Sequence, residues 1–183
     1  MLGAQAVGGA GVDKRLDVIA TALHFRATVH DLAALDLAYA PPFGLAKDPI
    51  HLAGFAAQND LDGLTRLLQP GDDLAGCQVI DVREPAEIAA RPLAGVEAPV
   101  CVPLGELRGR LAELDRGRPT VIVCRTGLRA YVGARILEQH GFAEVRNLSG
   151  GAAMRDYALN RGCAPDDAAA RKLPTPEHLG ELA

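Results

Sequence analysis

The chain has 183 residues, 49% of them hydrophobic and only 4% aromatic with no Trp, which implies an aliphatic core for one domain or one domain with an appendage. A net charge of −4 argues against a nucleic-acid-binding domain, which carries a basic balance. The start "MLGAQAVGGAGVDKR" lacks the basic and apolar regions of a signal peptide, and no apolar run approaches the roughly 18 to 20 residues of a membrane helix. A cytoplasmic chain with reduced thiols and neither a nucleic-acid nor a membrane partner is therefore expected.

Residues 1–60 read as a short strand followed by helices. Leu2 to Val7 is the strand, broken by Gly8-Gly9-Ala10-Gly11. Leu16, Ile19, Ala20 and Leu23 recur on one helical face. Thr28 and Asp31 form a capping box that opens a second short helix. "APPFGLAKDP" is a stiff loop, and Asp48 then Pro49 start a third helix that carries Ile50, Ala53, Gly54 and Ala57.

From about residue 64 the pattern changes. "CQVIDV" (77–82), "PVCVPL" (99–104), "TVIVC" (120–124) and "AEVRNL" (143–148) read as buried strands. "EPAEIAA" (84–90) is a short helix, and Leu104, Leu107, Leu111 and Leu114 mark another helical face. Ala130 to His140 is a helix stopped by Gly141, and Gly150-Gly151 leads into a last one. Strands alternating with helices indicate an α/β domain with a mostly parallel sheet. The tail from Gly162 is rich in Ala, Asp and Pro.

The chemistry concentrates where "TVIVC" meets the next helix, in "CRTGLR". Cys124 stands at a strand's carboxyl end, where open parallel sheets bind ligands. The residues after it lead into a helix N-terminus, whose N–H groups and dipole favour anions, a thiolate or an anionic substrate group among them. Gly127 permits the positive φ of a cradle, and Arg125 and Arg129 add charge. A cysteine at the end of an apolar strand also packs as a small hydrophobe, and only the composite of strand, Cys, Gly, Arg and helix sets this one apart. Cys124 to Arg129 counts as C-x4-R; in the C-x5-R cradle of cysteine phosphatases the arginine would fall at Ala130. The tighter loop suits a sulfur-bearing substrate better than a phosphoryl group.

"VIDVREPAE", "VPLGELRGRLAEL", "VIVCRTGLRA" and "NLSGGAAM" together resemble the rhodanese domain over about residues 74–160. The resemblance implies a doubly wound α/β fold, a mostly parallel sheet with helices on both faces. It also implies a catalytic Cys124 that carries sulfane sulfur as a persulfide, from thiosulfate or a persulfide donor to a thiol or cyanide. Arg125, Thr126, Gly127, Leu128 and Arg129 then form the persulfide-binding loop, with Arg129 closing it. Asp81 and Arg83, at the matching strand end, support the loop by bonding and orienting it. Departures lie in "ARPLAGVEAPVCVPL", where many relatives have Gly-His-Ile, and in "LTRLLQPGDDLAGC", a weak match to the opening strand.

Residues 2–59, through "LGAQAVGGAGVDKRLDVIATAL", "LDLAYAPPFGLAKDP" and "AGFAAQN", resemble the C-terminal dimerisation domain of pyridine nucleotide-disulfide oxidoreductases, nearest the coenzyme A-disulfide reductase and NADH oxidase group. Some members of that group carry a C-terminal rhodanese domain. The expected organisation is a partial dimerisation domain (1–62), a rhodanese-like domain (63–161) and a tail (162–183). No G-x-G-x-x-G occurs, so no cofactor is expected in this chain; FAD and NAD(P)H enter only through a larger flavoprotein. No metal site is expected either. The expected partners are a small-molecule sulfur donor and a thiol acceptor, with a homodimer or the parent flavoprotein as protein partner. Three expectations concern single features. Residues 1–12 are either disordered or engaged in a homodimer, because a lone strand is unstable. Tyr39 packs, and so does Cys101. Cys163 stands between a tolerated tail cysteine and a thiol that resolves oxidised Cys124.

The rival to a sulfurtransferase is a non-catalytic docking or dimerisation module, or a sulfur relay inside a fused flavoenzyme. A phosphatase or arsenate reductase is the third alternative, disfavoured by loop length.

Overall fold

The computed structural model describes residues 1–41 and 44–159. They form two compact units, divided after Gly63.

The first unit holds helices α1 (Val12–His24), α2 (Val29–Ala33) and α3 (Pro49–Leu61). Both predicted caps are present. Asp31 N–H donates to Thr28 Oγ1 at 3.2 Å while Thr28 N–H donates to Asp31 Oδ2 at 2.7 Å. Asp48 Oδ1 accepts from Ile50 N–H at 3.0 Å, and its other oxygen takes Arg15 of α1 at 2.9 Å. Ala22, Leu32 and Ile50 bury a small core, and Gly54 lets α3 approach the backbone of Ala33, where a Cβ would stand 2.9 Å from its nitrogen. The strand expected over Leu2 to Val7 does not form: no strand among the described residues pairs with the segment, and Leu2 and Val7 lie exposed. Tyr39 does not pack either; it is 56% exposed.

The second unit is a five-stranded, all-parallel sheet: β1 (Arg66–Leu68), β2 (Gln78–Asp81), β3 (Val100–Cys101), β4 (Thr120–Val123) and β5 (Val145–Leu148), in the order β1-β5-β4-β2-β3. Its helices are α4 (Pro85–Ala90), α5 (Leu128–Gln139) and α6 (Gly151–Ala158). Alternation along the central strands feeds two cores. Ile80, Ile122 and Val145 pack with Ala130, Ala134 and Leu137 of α5, whereas Val79, Val121 and Leu148 pack with Leu74, Leu93 and Ala152 of α6 on the other face. The sheet is thus covered on both sides, which is why its strands show no polar alternation. Gly133 brings α5 close to β4, since a Cβ there would meet Ile122 Cδ1 at 2.4 Å.

Two expectations about elements are corrected. The helix expected over Leu104 to Leu114 is a pair of short 3-10 turns, Leu107–Gly109 and Leu111–Glu113. Leucines three or four apart satisfy either geometry, and Gly105 and Gly109 weaken the longer one. Strand β3 has two residues rather than six, and Cys101 on this edge is exposed rather than packed.

Candidate active site

Cys124 follows β4 directly, at the carboxyl end of the central strand. The chain leaves β2 toward β3 on one side and leaves β4 toward β5 on the other. The crevice between these two strand ends is therefore the topological switch point, where open α/β sheets bind ligands. Cys124 lies on one lip with the start of α5. Asp81, Arg83 and α4 form the other.

The loop is held from three directions. Gly127 has φ +110°, which only glycine adopts without strain, and this turns its N–H back to donate to Cys124 Sγ at 3.1 Å. The Gly127 carbonyl accepts from Tyr131 N–H at 2.9 Å, the first bond of α5, and from Asn147 Nδ2 of β5 at 3.2 Å. From the opposite face, the first turn of α6 donates to the loop's opening carbonyls: Ala152 N–H to Cys124 O at 2.9 Å and Ala153 N–H to Arg125 O at 3.1 Å. Cys124 itself is 1% exposed. The N–H groups of Leu128, Arg129 and Ala130 belong to the first turn of α5 and have no intrahelical acceptor. The arrangement sets a buried sulfur against the Gly127 N–H at the mouth of a helix N-terminus. It can hold an anionic sulfur species and hide it from bulk water.

The other predicted loop residues divide by exposure. Arg125, Thr126 and Leu128 point outward, Leu128 being 73% exposed. Arg129 is committed across the crevice: its two terminal nitrogens donate to Glu87 Oε1 and Oε2, each at 2.7 Å. Glu87 Oε2 also accepts from Glu84 N–H at 3.1 Å. Bonding to Arg129 and then to the Glu84 amide holds the Glu87 carboxyl down at about 2. The same pair raises the Arg129 guanidinium, and the Cys124 sulfur adds to that effect, so Arg129 is within electrostatic reach of the sulfur.

The expected role of Asp81 and Arg83 is corrected. They bond each other, not the loop: Arg83 Nε and Nη2 donate to the Asp81 carboxylate at 2.9, 3.0 and 2.6 Å, and Arg83 Nη1 donates to Arg91 O at 2.8 Å. Both are buried, at 0% and 2% exposure. The Asp81 carboxylate also accepts the Arg83 N–H at 3.1 Å, so its bonds go to Arg83, amide and guanidinium together, and this pair shapes the β2 lip.

Three contributors escaped the sequence reading as individual residues. Glu87 lies 42 residues from its partner, and its only local signal is that of a helix N-terminus. Asn147 lies on a strand whose pattern announces burial alone. Gly151 is legible in the sequence only as half of the Gly150-Gly151 entry to the last helix, not as a contact of the Cys124 carbonyl. Cys77 is half-buried away from the crevice. Cys163 lies outside the described residues, as does the tail. Among the described residues no cluster of His, Cys, Asp and Glu is suited to a metal ion, and no helix is long and apolar enough to cross a membrane.

With a buried cysteine at the switch point of a parallel sheet, the site and fold define a class, and comparison agrees. The family model described as "Rhodanese-like domain" matches residues 62–153, half of the chain, and the chain belongs to that family. Coenzyme A disulfide reductase of Staphylococcus epidermidis is 48% identical over 58 residues, covering 32% of this chain and 13% of that protein. The reduced Bacillus anthracis CoADR-RHD structure aligns with a TM-score of 0.76 and 41% identity, over 82% of this chain and 27% of that one. A NAD-dependent persulfide reductase from A. fulgidus aligns at 0.71 and 38%, over 80% of this chain and 26% of that one. The chain thus spans a small part of these relatives' length, and the two structural alignments extend past the rhodanese match.

Proposed function

We propose that Cys124 carries sulfane sulfur as a persulfide, in a rhodanese-type sulfurtransferase. The observation that carries this reading is the Gly127 N–H on the buried Cys124 Sγ at 3.1 Å, inside a loop that opens a helix. In the first step the Cys124 thiolate attacks the sulfane sulfur of thiosulfate or of a persulfide. A Cys124 S–S bond forms as the donor's bond to that sulfur breaks, and the electron pair leaves with sulfite or the donor thiolate. In the second step a thiolate or cyanide attacks the outer sulfur. The acceptor leaves as a persulfide or thiocyanate and the Cys124 thiolate is regenerated, so the cycle needs no external oxidant or reductant. The loop N–H groups stabilise the terminal sulfur's charge. Arg129, Arg125 and the backbone of Thr126 and Leu128 complete the loop.

The test is mass spectrometry of the full chain after incubation with thiosulfate or glutathione persulfide. The expected result is an adduct of about 32 Da on Cys124, one sulfur atom, lost in Cys124→Ser. A folded protein with no adduct from either donor overturns the reading and leaves a docking module.

A second reading is favoured by the relatives' names and lengths: the same Cys124 relay within a larger flavin-dependent coenzyme A-disulfide or persulfide reductase, with residues 1–62 serving as part of a dimerisation domain. FAD and NAD(P)H would belong to that larger protein. The two readings separate on turnover. A free sulfurtransferase moves sulfur repeatedly to a small thiol or to cyanide, whereas a relay holds its adduct until a reductase accepts it.

A further inference from the structure

The mouth of the crevice is almost charge-balanced. Arg83, Arg125 and Arg129 are the cations there, and Asp81, Glu84 and Glu87 are the anions. Two of the cations are tied up. Arg83 is bonded to Asp81 in the interior, and Arg129 is held at both terminal nitrogens by Glu87. The Glu87–Arg129 pair is the informative one, because it joins α4 to the start of the helix that follows Cys124 and both side chains are about one-third exposed, at 34% each. An arginine in this loop would otherwise aim full charge at an anionic donor.

We infer that Glu87 sets the charge selectivity of the sulfur donor by withholding Arg129 from it. This rests on the sulfurtransferase reading and adds the class of donor. With Arg129 neutralised, the loop offers an incoming donor its N–H groups and the exposed Arg125, one cation instead of two. The favoured donor carries a single negative charge at its sulfur end, as a thiol persulfide does, and a doubly charged donor meets one cation fewer for its second charge. Glu87 is a selectivity residue that acts through Arg129, not a group that touches the transferred sulfur.

The experiment uses two donors of the same tetrahedral shape, thiosulfate with two charges and methanethiosulfonate with one. Both give up a sulfane sulfur to Cys124, releasing sulfite or methanesulfinate. The second-order rate of Cys124 persulfide formation is followed by quenched mass spectrometry in the wild type, Glu87→Gln and Glu87→Asp. Freeing one guanidinium several ångströms from the donor multiplies the rate by about threefold per unit of donor charge in a water-like dielectric. The thiosulfate-to-methanethiosulfonate ratio should therefore rise at least about threefold in Glu87→Gln and stay near the wild-type value in Glu87→Asp. The ratio cancels any loss of folded or active protein. The wild-type thiosulfate rate should also fall less steeply between about 20 and about 200 mM salt than the Glu87→Gln rate, because the wild type has one free guanidinium fewer to screen.

An unmoved ratio, or a wild-type thiosulfate rate that falls with salt as steeply as that of Glu87→Gln, overturns the inference while leaving sulfur transfer intact. No Cys124 persulfide from thiosulfate, methanethiosulfonate or glutathione persulfide in the folded wild type overturns both, and a persulfide from glutathione persulfide alone in wild type and Glu87→Gln alike overturns the inference only.

Discussion

Gly151 presses on the carbonyl of Cys124: a Cβ at position 151 would stand 2.4 Å from that oxygen and 2.7 Å from the carbonyl carbon of Arg125. The atoms it would meet are backbone and cannot swing aside. Gly151 also has φ +60°, which side chains resist. Gly151→Ala should therefore move the loop's first two residues off the start of α6. The expected outcome is a stability loss on the order of 1–3 kcal/mol, read by urea melts. Cys124 persulfide formation should slow more than tenfold under conditions where the protein stays folded. Unchanged kinetics would show that the α6 contact does not hold the loop.

Asn147 fastens the loop from the sheet. Its Nδ2 donates to the Gly127 carbonyl, while its Oδ1 is buried without a hydrogen-bond partner among the described residues. Asn147→Leu removes the anchor and the unpartnered oxygen together, so stability should change by less than about 1 kcal/mol while persulfide formation slows several-fold. Asn147→Asp sets a carboxylate oxygen against a carbonyl oxygen and should cost more stability than Asn147→Leu. Stability is read by chemical denaturation and the rate by stopped-flow or quenched mass spectrometry. The opposite order of stabilities would refute the orientation of this amide.

The Asp81–Arg83 pair should act on the fold rather than on the sulfur. Asp81→Asn leaves the Arg83 guanidinium buried with its ion partner gone, and loss of one member of a buried pair costs about 3–5 kcal/mol. The double variant Asp81→Leu, Arg83→Met should cost clearly less than the sum of the two single changes. A thermodynamic cycle from urea melts measures this coupling. Additive losses would mean the two residues stabilise the β2 lip independently.

Glu87 should make stability acid-sensitive over a defined window. Its carboxyl lies at about 2 in the folded chain, against an ordinary value of 4.5. A lowered folded-state value means the stabilising contribution is complete above about 4.5 and fades as pH falls toward about 2. The stability difference between wild type and Glu87→Gln should be flat from neutral pH to about 5 and shrink below it. A difference that grows on acidification would contradict the ion pair.

Much of this was legible locally. "TVIVC" running into "RTGLR" states a buried parallel strand, a thiol and a helix start within ten residues, and the structure assembles them as one loop. The capping signals at Thr28 and Asp48 act within a few residues of themselves and were readable for the same reason. Nonlocal features were not. Strand β1 has three residues whose burial runs from exposed to buried, too short for any period to show. The Glu87–Arg129 and Asn147–Gly127 bonds join elements 42 and 20 residues apart, and only the sheet order brings them together. The misplaced role of Asp81 and Arg83 has a similar source: a strand-end carboxylate can serve either the loop or its neighbour, and side-chain geometry decides.

Helix α4 has six residues and none of its side chains is fully buried. Glu87 ties it to α5, and its C-terminal neighbour Arg91 reaches Asp156 of α6 at 3.3 Å. One wall of the crevice is thus fastened by ion pairs instead of by apolar contact. Such a segment opens at a free energy far below that of the sheet behind it. Hydrogen exchange should register this as α4 amides that turn over long before those of β4, and sooner still as salt is added. The crevice wall then keeps a timescale of its own, set by two partly exposed ion pairs, while the strand that carries Cys124 stays paired on both sides.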